Sequence, residues 1–296
     1  MRIFVTGGTG YVGSAVVREL VAAEQHVTGL TRLAENAAYL EGLGAHAVLG
    51  DLRDAGGFEE AARSADVLVH VAAEESGMRA AVDRLAVEAL LSFAREGEAR
   101  QLVYTSGCFV LGETGSEPAQ EDASTAEPIP YAAWRVPHER LVLEADTPRV
   151  ATAVIRPGMV YGGKEGAFSA FFGSAEREGA AEFIGDGANR WSPVHRSDVG
   201  RLYRMVVEAR ARGIFHCAEP AARVGELAMA ASRAAGAGGA TRRLRVEDAR
   251  RRLGSFADAL TVDQVMGCRR SESLGWSPLH PPFREGAESV YREWKG

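Results

Sequence analysis

Along the first hundred or so residues, short apolar runs alternate with longer stretches whose apolar positions recur at helical spacing. Arg2–Thr6 (RIFVT) is apolar and β-branched, which predicts a buried strand. From Tyr11 to Ala23, Val12, Val16, Val17, Leu20 and Val21 share one face of a helix. The alternation continues. Val27–Thr31 reads as a strand, Leu33–Leu43 as an alanine-rich helix, Ala45–Leu49 as a third strand, and Gly57–Arg63 as a helix. Asp66–Val71 is a fourth strand, Met78–Glu96 a long amphipathic helix and Gln101–Thr105 a fifth strand. Strands and helices alternating through short connections call for a parallel sheet covered on both faces.

Glu113–Pro130 breaks this rhythm: it carries three prolines and five acidic residues and reads as a surface loop. Tyr131–Ala145 is again helical, and Ala151–Ile155 is a sixth strand ended by Arg156-Pro157-Gly158. From Tyr161 to Asn189 the chain is glycine-rich and holds Phe168, Phe171 and Phe172. Val199–Ala209 reads as a helix capped by Ser197 or Asp198, and Gly213–Cys217 as a short strand. A basic stretch, Arg242 to Arg252, follows later.

The candidate chemistry begins at the first strand–helix junction. Thr6-Gly7-Gly8-Thr9-Gly10-Tyr11-Val12-Gly13 is a TGxxGxxG turn that ends a predicted strand and opens a predicted helix. Gly7 permits the tight turn, Gly10 lets backbone approach a pyrophosphate, and Gly13 lets the helix pack close to the strand. The helix N-terminus then offers free N–H groups and a positive dipole end to the anion. The turn therefore predicts dinucleotide binding. The second strand ends Leu30-Thr31-Arg32, with an arginine and no carboxylate. A carboxylate there would bond the ribose hydroxyls of NAD, whereas a guanidinium suits a 2′-phosphate. NADP(H) is thus the expected cofactor, with NAD(H) as the alternative. Asp51, after the third strand, is placed to bond the adenine amino group.

These elements specify an α/β fold, a Rossmann doubly wound parallel sheet with a smaller C-terminal substrate lobe. Residues 1–162, completed by about 190–217, form the dinucleotide-binding domain; residues 163–189 and 218–296 form the lobe.

Composition narrows the partners. The net charge of −6 repels phosphate backbones, so nucleic acid is not expected as a partner. Three widely spaced cysteines, Cys108, Cys217 and Cys268, give neither a disulfide framework nor a zinc pattern. They fit a reducing cytosol, and a cytoplasmic location is expected. The chain opens on a strand rather than a signal peptide, and no run of ~18 apolar residues predicts a membrane span.

Further motifs are Gly50-Asp51-Leu52, Val69–Ala73 (VHVAA), Pro130–Trp134 (PYAAW), Arg156–Gly162 (RPGMVYG) and Pro193–Tyr203 (PVHRSDVGRLY). With the glycine turn, they make the chain resemble the extended short-chain dehydrogenase/reductase family, in an atypical form of the NAD-dependent epimerase/dehydratase kind. The resemblance spans nearly the whole length. It implies that Gly7, Thr9, Gly10, Tyr11, Val12, Gly13, Arg32, Asp51, Leu52, Val71, Ala72, Ala73, Thr105, Tyr131, Arg135, Pro157, Gly158 and Val160 line the cofactor. It implies a catalytic pair, Tyr-x-x-x-Lys in such proteins, which here reads Tyr131-Ala132-Ala133-Trp134-Arg135. Arg135 keeps the positive charge that favours a phenolate, but a guanidinium does not deprotonate and cannot join a proton relay. The family's substrate-orienting hydroxyl falls on Gly107 when counted back from Val110-Leu111-Gly112. It falls on Ser106 when counted from Tyr131. The resemblance also implies a small-molecule substrate and allows a homodimer.

Each of these residues has a plainer role open to it. Tyr131 can be a packing residue at a helix start, and Arg135 can pair with Glu139 four residues on. His195 reads as structural, Cys108 as a buried thiol, and the 242–252 run as a solvated helix face. Trp134, Phe168, Phe171 and Phe172 line a pocket or fill a core. The leading functional reading is an NADP(H)-dependent reductase or dehydrogenase of a small carbonyl or alcohol, with Tyr131 handling the proton. The alternatives are a sugar-nucleotide epimerase or dehydratase and a non-catalytic NAD(P)-binding regulator.

Overall fold

The computed structural model describes residues 1–74 and 77–296. In chain order the first elements are β1 (Arg2–Thr6), α1 (Gly13–Ala22), β2 (His26–Thr31), α2 (Ala34–Gly42), β3 (His46–Leu49), α3 (Glu59–Arg63), β4 (Val67–His70), α4 (Arg79–Glu96) and β5 (Gln101–Thr105). There follow α5 (Arg135–Glu144), β6 (Ala151–Pro157), β7 (Met159–Tyr161), α6 (Ala167–Glu178), β8 (Ala181–Ile184), β9 (Arg190–Trp191) and β10 (Pro193–His195). The remainder is α7 (Arg196–Glu208), β11 (Gly213–Cys217), β12 (Ala222–Arg223), α8 (Val224–Ala234), β13 (Thr241–Leu244), α9 (Val246–Leu253), α10 (Phe256–Ala259), α11 (Arg269–Ser273) and α12 (Phe283–Lys295).

Seven strands form one sheet in the order β11-β6-β5-β4-β1-β2-β3, and the pairs from β6 to β3 are parallel. The chain leaves β1 toward β2 and β3, then returns to the other side of β1 at β4. That reversal opens a crevice at the carboxyl ends of β1 and β4, where ligands bind in doubly wound sheets.

Two compact units emerge. One comprises residues 1–106, 134–156 and 199–215; the other comprises 107–133, 157–198 and 216–296. Residues 107–133, 157–162, 190–198 and 216–217, grouped with the dinucleotide-binding part on sequence, cluster with the second unit instead. In the first unit, β1, β4 and β5 are buried on both faces, as expected for central parallel strands. Phe4 stacks on Phe58 and Phe58 meets Phe93 edge-on, closing the core between the sheet and α3–α4.

In the second unit Phe168, Phe171 and Phe172 are buried on α6 and pack with Tyr161, Trp191 and Phe283. Of the two sequence readings for these phenylalanines, core packing holds. Two element boundaries also differ from expectation. Helix α5 begins at Arg135, not Tyr131, because residues 130–134 form turns whose hydrogen bonds run elsewhere: Ala132 N–H donates to Ile129 O, and Ile129 N–H ties the stretch to Phe109 O. Helix α7 begins at Arg196, so neither Ser197 nor Asp198 caps it. Asp198 instead accepts hydrogen bonds from the Leu279 and His280 N–H groups (2.9 and 3.2 Å).

Glu219 is buried beside these elements, where its carboxylate accepts hydrogen bonds from the Tyr161 hydroxyl and from Phe283 N–H. Burial lifts its carboxyl from 4.5 to about 7, more than those two hydrogen bonds lower it. The folded state therefore holds a proton that the unfolded chain has already released. The contribution is complete below pH 4.5 and is lost as pH rises through 7, on the order of 3 kcal/mol in all. His195 works in the opposite sense, since burial lowers it. The comparison is therefore between wild type and Glu219→Gln: from pH 5 to 8 the variant's melting temperature should fall less. Parallel melting curves over that range would show the carboxyl not to be the titrating group.

Candidate functional site

The glycine turn sits where the sheet reverses. Gly7 has φ +75°, and a Cβ there would lie 2.5 Å from Ala72 backbone, so the ends of β1 and β4 touch through a residue with no side chain. A Cβ on Gly13 would lie 2.0 Å from Gly7 O, which fixes α1 against the turn. Gly10 is different: it is exposed, and a Cβ would meet only Gly7 O at 3.3 Å. The space in front of Gly10 is open, and the first turn of α1 carries no acidic side chain. A pyrophosphate fits this cradle, because backbone N–H groups and the helix dipole face open space without a competing carboxylate. Thr9, Tyr11 and Val12 complete the turn.

The other residues expected near a dinucleotide in this unit extend from the same edge. Arg32 follows β2 with an exposed side chain and lies 3.5 Å from Glu74. Asp51 and Leu52 follow β3. The Asp51 carboxylate accepts the Arg53 N–H (2.9 Å) and lies 3.4 Å from its guanidinium. Val71, Ala72 and Ala73 follow β4.

At the end of β5, the Thr105 hydroxyl donates to His70 O (2.7 Å) and shares a hydrogen bond with the Tyr203 hydroxyl (2.5 Å). The Ser106 hydroxyl is buried and makes no hydrogen bond among the described residues. Arg135 does not pair with Glu139, which binds Arg156 instead (2.9 and 2.5 Å). The Arg135 guanidinium lies over the Trp134 ring at 4.3 Å and donates to Thr105 O (2.7 Å) and the Tyr104 hydroxyl (3.4 Å). A fixed positive charge therefore stands at the end of β5.

Beneath it lies a buried polar cluster that sequence reasoning missed. Asp83 on α4 accepts the Tyr104 hydroxyl (2.9 Å) and bonds His138 Nδ1 (2.6 Å). It lies 3.3 Å from His70 Nε2, and the other His70 nitrogen bonds the Thr6 hydroxyl at 2.6 Å. Burial alone would raise the Asp83 carboxyl, yet its hydrogen bond to His138, the nearby His70 ring and the charge of Arg135 hold it below the usual carboxylate range. The signals were polar residues at core positions: His70 inside an apolar strand, and Asp83 next to Val82 on the apolar side of a helix.

Tyr131, Pro157, Gly158 and Val160 belong to the second unit. Tyr131 lies in the turn before α5, its ring edge-on to Phe109 (6.3 Å) and tilted on Phe256 (5.0 Å). The turn is held by Ile129 N–H donating to Phe109 O (2.9 Å) and Ala132 N–H to Ile129 O (2.8 Å). Gly158 is needed for packing, since a Cβ there would strike Ser192 O at 2.1 Å. His195 is buried, stacked on His280 and bonded to Glu293 (3.1 Å), a structural role. Cys108 is a buried thiol whose pKa burial pushes up to about 12, which leaves no thiolate for nucleophilic chemistry.

Residues 3–218 match the model of the NAD dependent epimerase/dehydratase family. The chain belongs to this family. An uncharacterized protein of Schizosaccharomyces pombe is 30% identical over 95% of this chain and 96% of its own length. A 3-diazoavenalumate denitrifying reductase of a Streptomyces species is 30% identical over 97% of this chain and 99% of its own. Among solved structures, a dTDP-glucose 4,6-dehydratase from Streptomyces venezuelae with NAD bound superposes with a TM-score of 0.84 and 25% identity, covering 100% of this chain and 97% of that one. Membership makes this an NAD(P)-dependent enzyme of the extended short-chain dehydrogenase/reductase type, with reductases among its relatives. As an epimerase/dehydratase family member it has a Rossmann sheet and the glycine turn at the expected reversal. Among the described residues no helix is long and apolar enough to cross a membrane.

Proposed function

We propose that this chain is an NADP(H)-dependent reductase of small carbonyl compounds, working also in the alcohol-oxidising direction. The observation that carries this is the end of β2. Thr31 stands where a ribose-binding carboxylate would select NAD, and the exposed guanidinium of Arg32 follows it. A relative from Stigmatella aurantiaca named as a ketoreductase, 36% identical over 57% of this chain and 53% of its own length, supports the carbonyl part of the reading.

A nicotinamide cofactor, when bound, would supply or accept the hydride. The chain's own residues do the rest. The Gly7–Gly13 turn and the start of α1 hold the pyrophosphate. Tyr131 is assigned the donation of the proton to the carbonyl oxygen, or its recovery in the reverse direction, and Arg135 the place of the family's lysine. Tyr131 and Arg135 are assigned these roles from the family's Tyr-x-x-x-Lys pair, with arginine in the lysine position. Ser106, buried and lacking a hydrogen bond among the described residues, is the assigned hydroxyl.

The second reading is a sugar-nucleotide epimerase or dehydratase that retains NAD through its cycle. The likeness to the NAD-bound dehydratase favours it; the arginine ending β2 opposes it.

Titration of wild type and Arg32→Ala with NADPH and NADH tests the choice. Wild type should bind NADPH about 10-fold more tightly or better, since one charge-assisted hydrogen bond contributes roughly 1.5–3 kcal/mol. Arg32→Ala should lose most of that preference. NADPH consumption across aldehydes and ketones then identifies the substrate. Equal affinities in wild type, with NAD released from the denatured protein, would decide for the second reading.

A further inference from the structure

The Arg32 guanidinium is not the lone cation at this edge. Arg53 lies just beyond β3, with its side chain 49% exposed, and its guanidinium is 3.2 Å from Glu74 Oε2. Arg32, 59% exposed, approaches the same oxygen at 3.5 Å. Glu74, four residues past the end of β4, is only 16% exposed. One carboxylate oxygen thus sits between two guanidinium groups, at distances longer than the ~2.7–2.9 Å of a charge-assisted N–H···O⁻ bond, so neither fork is fully satisfied by it. Asp51 anchors Arg53 from behind, through the Arg53 N–H (2.9 Å) and its side chain (3.4 Å). Asp51 therefore keeps Arg53 directed along the edge while Glu74 occupies the space the two forks share.

We propose that Arg53 and Arg32 together form the 2′-phosphate site and that Glu74 is its built-in competitor, a carboxylate that the phosphate must displace. This rests on the NADP(H) reading above and adds to it how strongly the site discriminates. A phosphate monoester carries about −1.5 to −2 charge at neutral pH and offers three acceptor oxygens. It satisfies both forks better than a single carboxylate does. NADP(H) displaces Glu74, whereas NAD(H), with only a ribose hydroxyl there, leaves the Arg32–Glu74–Arg53 bridge closed. Glu74 weakens the favoured cofactor somewhat, and it neutralises two otherwise adjacent cations when no phosphate is present.

The test needs no substrate. Dissociation constants for NADPH, NADH and adenosine 2′,5′-bisphosphate are measured for wild type, Arg32→Ala, Arg53→Ala and Glu74→Gln, each checked for an unchanged melting curve. Arg53→Ala should weaken NADPH and the bisphosphate about 10-fold and leave NADH nearly unchanged. Glu74→Gln should tighten NADPH and the bisphosphate several-fold, again without effect on NADH. Unchanged NADPH affinity in Arg53→Ala would overturn the two-arginine site. Weaker NADPH binding in Glu74→Gln would overturn the competitor, because Glu74 would then be holding the arginines in place. If wild type prefers NADPH and responds to Arg32→Ala alone, this inference fails and the NADP(H) reading stands. If wild type shows no preference, both fall together.

Discussion

Tyr131→Phe should lower turnover about 10²–10⁴-fold, the usual worth of general acid catalysis, while leaving the fold and cofactor affinity nearly unchanged. The ring of Tyr131 is held by Phe109 and Phe256, and phenylalanine keeps both contacts. Only the hydroxyl is removed, and the melting curve separates a loss of proton transfer from a loss of packing. The measurement is kcat on a carbonyl substrate from the NADPH panel, beside a melting curve and an NADPH titration. Arg135→Lys should retain or raise activity, since the charge survives. Arg135→Met should lower activity and weaken the cofactor, because it deletes the donor to Thr105 O. Normal turnover by Tyr131→Phe would show that the proton comes from another group or from water, and that the family analogy failed at this residue.

The second large effect is at the cradle. Gly10→Val should abolish measurable dinucleotide binding in a folded protein. The added Cβ meets only Gly7 O at 3.3 Å, a contact that a shift of a few tenths of an ångström relieves, while its methyl groups fill the space a pyrophosphate needs. Gly13→Ala should behave in the opposite manner. Its Cβ would fall 2.0 Å from Gly7 O, so the damage should appear as lost stability. Melting curves and NADPH titrations of the two variants separate these outcomes. A folded Gly10→Val that still binds NADPH would place the cofactor elsewhere.

Much of the first unit is legible from the chain alone because its central strands are buried on both faces and therefore read as unbroken apolar runs. The glycine turn is legible for a related reason: Gly7, Gly10 and Gly13 answer to local backbone geometry. The Asp83 cluster was hidden because its members, Thr6, His70, Asp83, Tyr104 and His138, come from five separate elements and meet only in three dimensions. Arg53 and Glu74 were missed for the same reason. Apolar spacing continues back through Ala132 and Tyr131, so the chain alone does not distinguish the turns over 130–134 from a first turn of α5. In the second unit, strands such as β9 and β12 are two residues long, too short for any periodicity to mark them. Phe168, Phe171 and Phe172 do have helical spacing, but the glycines on either side leave the segment without an element that the chain alone assigns.

The strand order bears on how the chain is made. β5 is flanked in the finished sheet by β4 and β6, yet about 45 residues separate its end from β6 in the sequence. At a synthesis rate of about 5–20 residues per second, β5 waits roughly 2–9 s for its second neighbour. During that interval a buried, hydrophobic strand presents a bare edge of N–H and C=O groups on the nascent chain. Residues 106–150, among them the acidic Glu113–Pro130 segment, are made in this window. The vulnerable period for aggregation therefore falls while the loop is still emerging, and slower translation across it would lengthen the exposure of one particular strand.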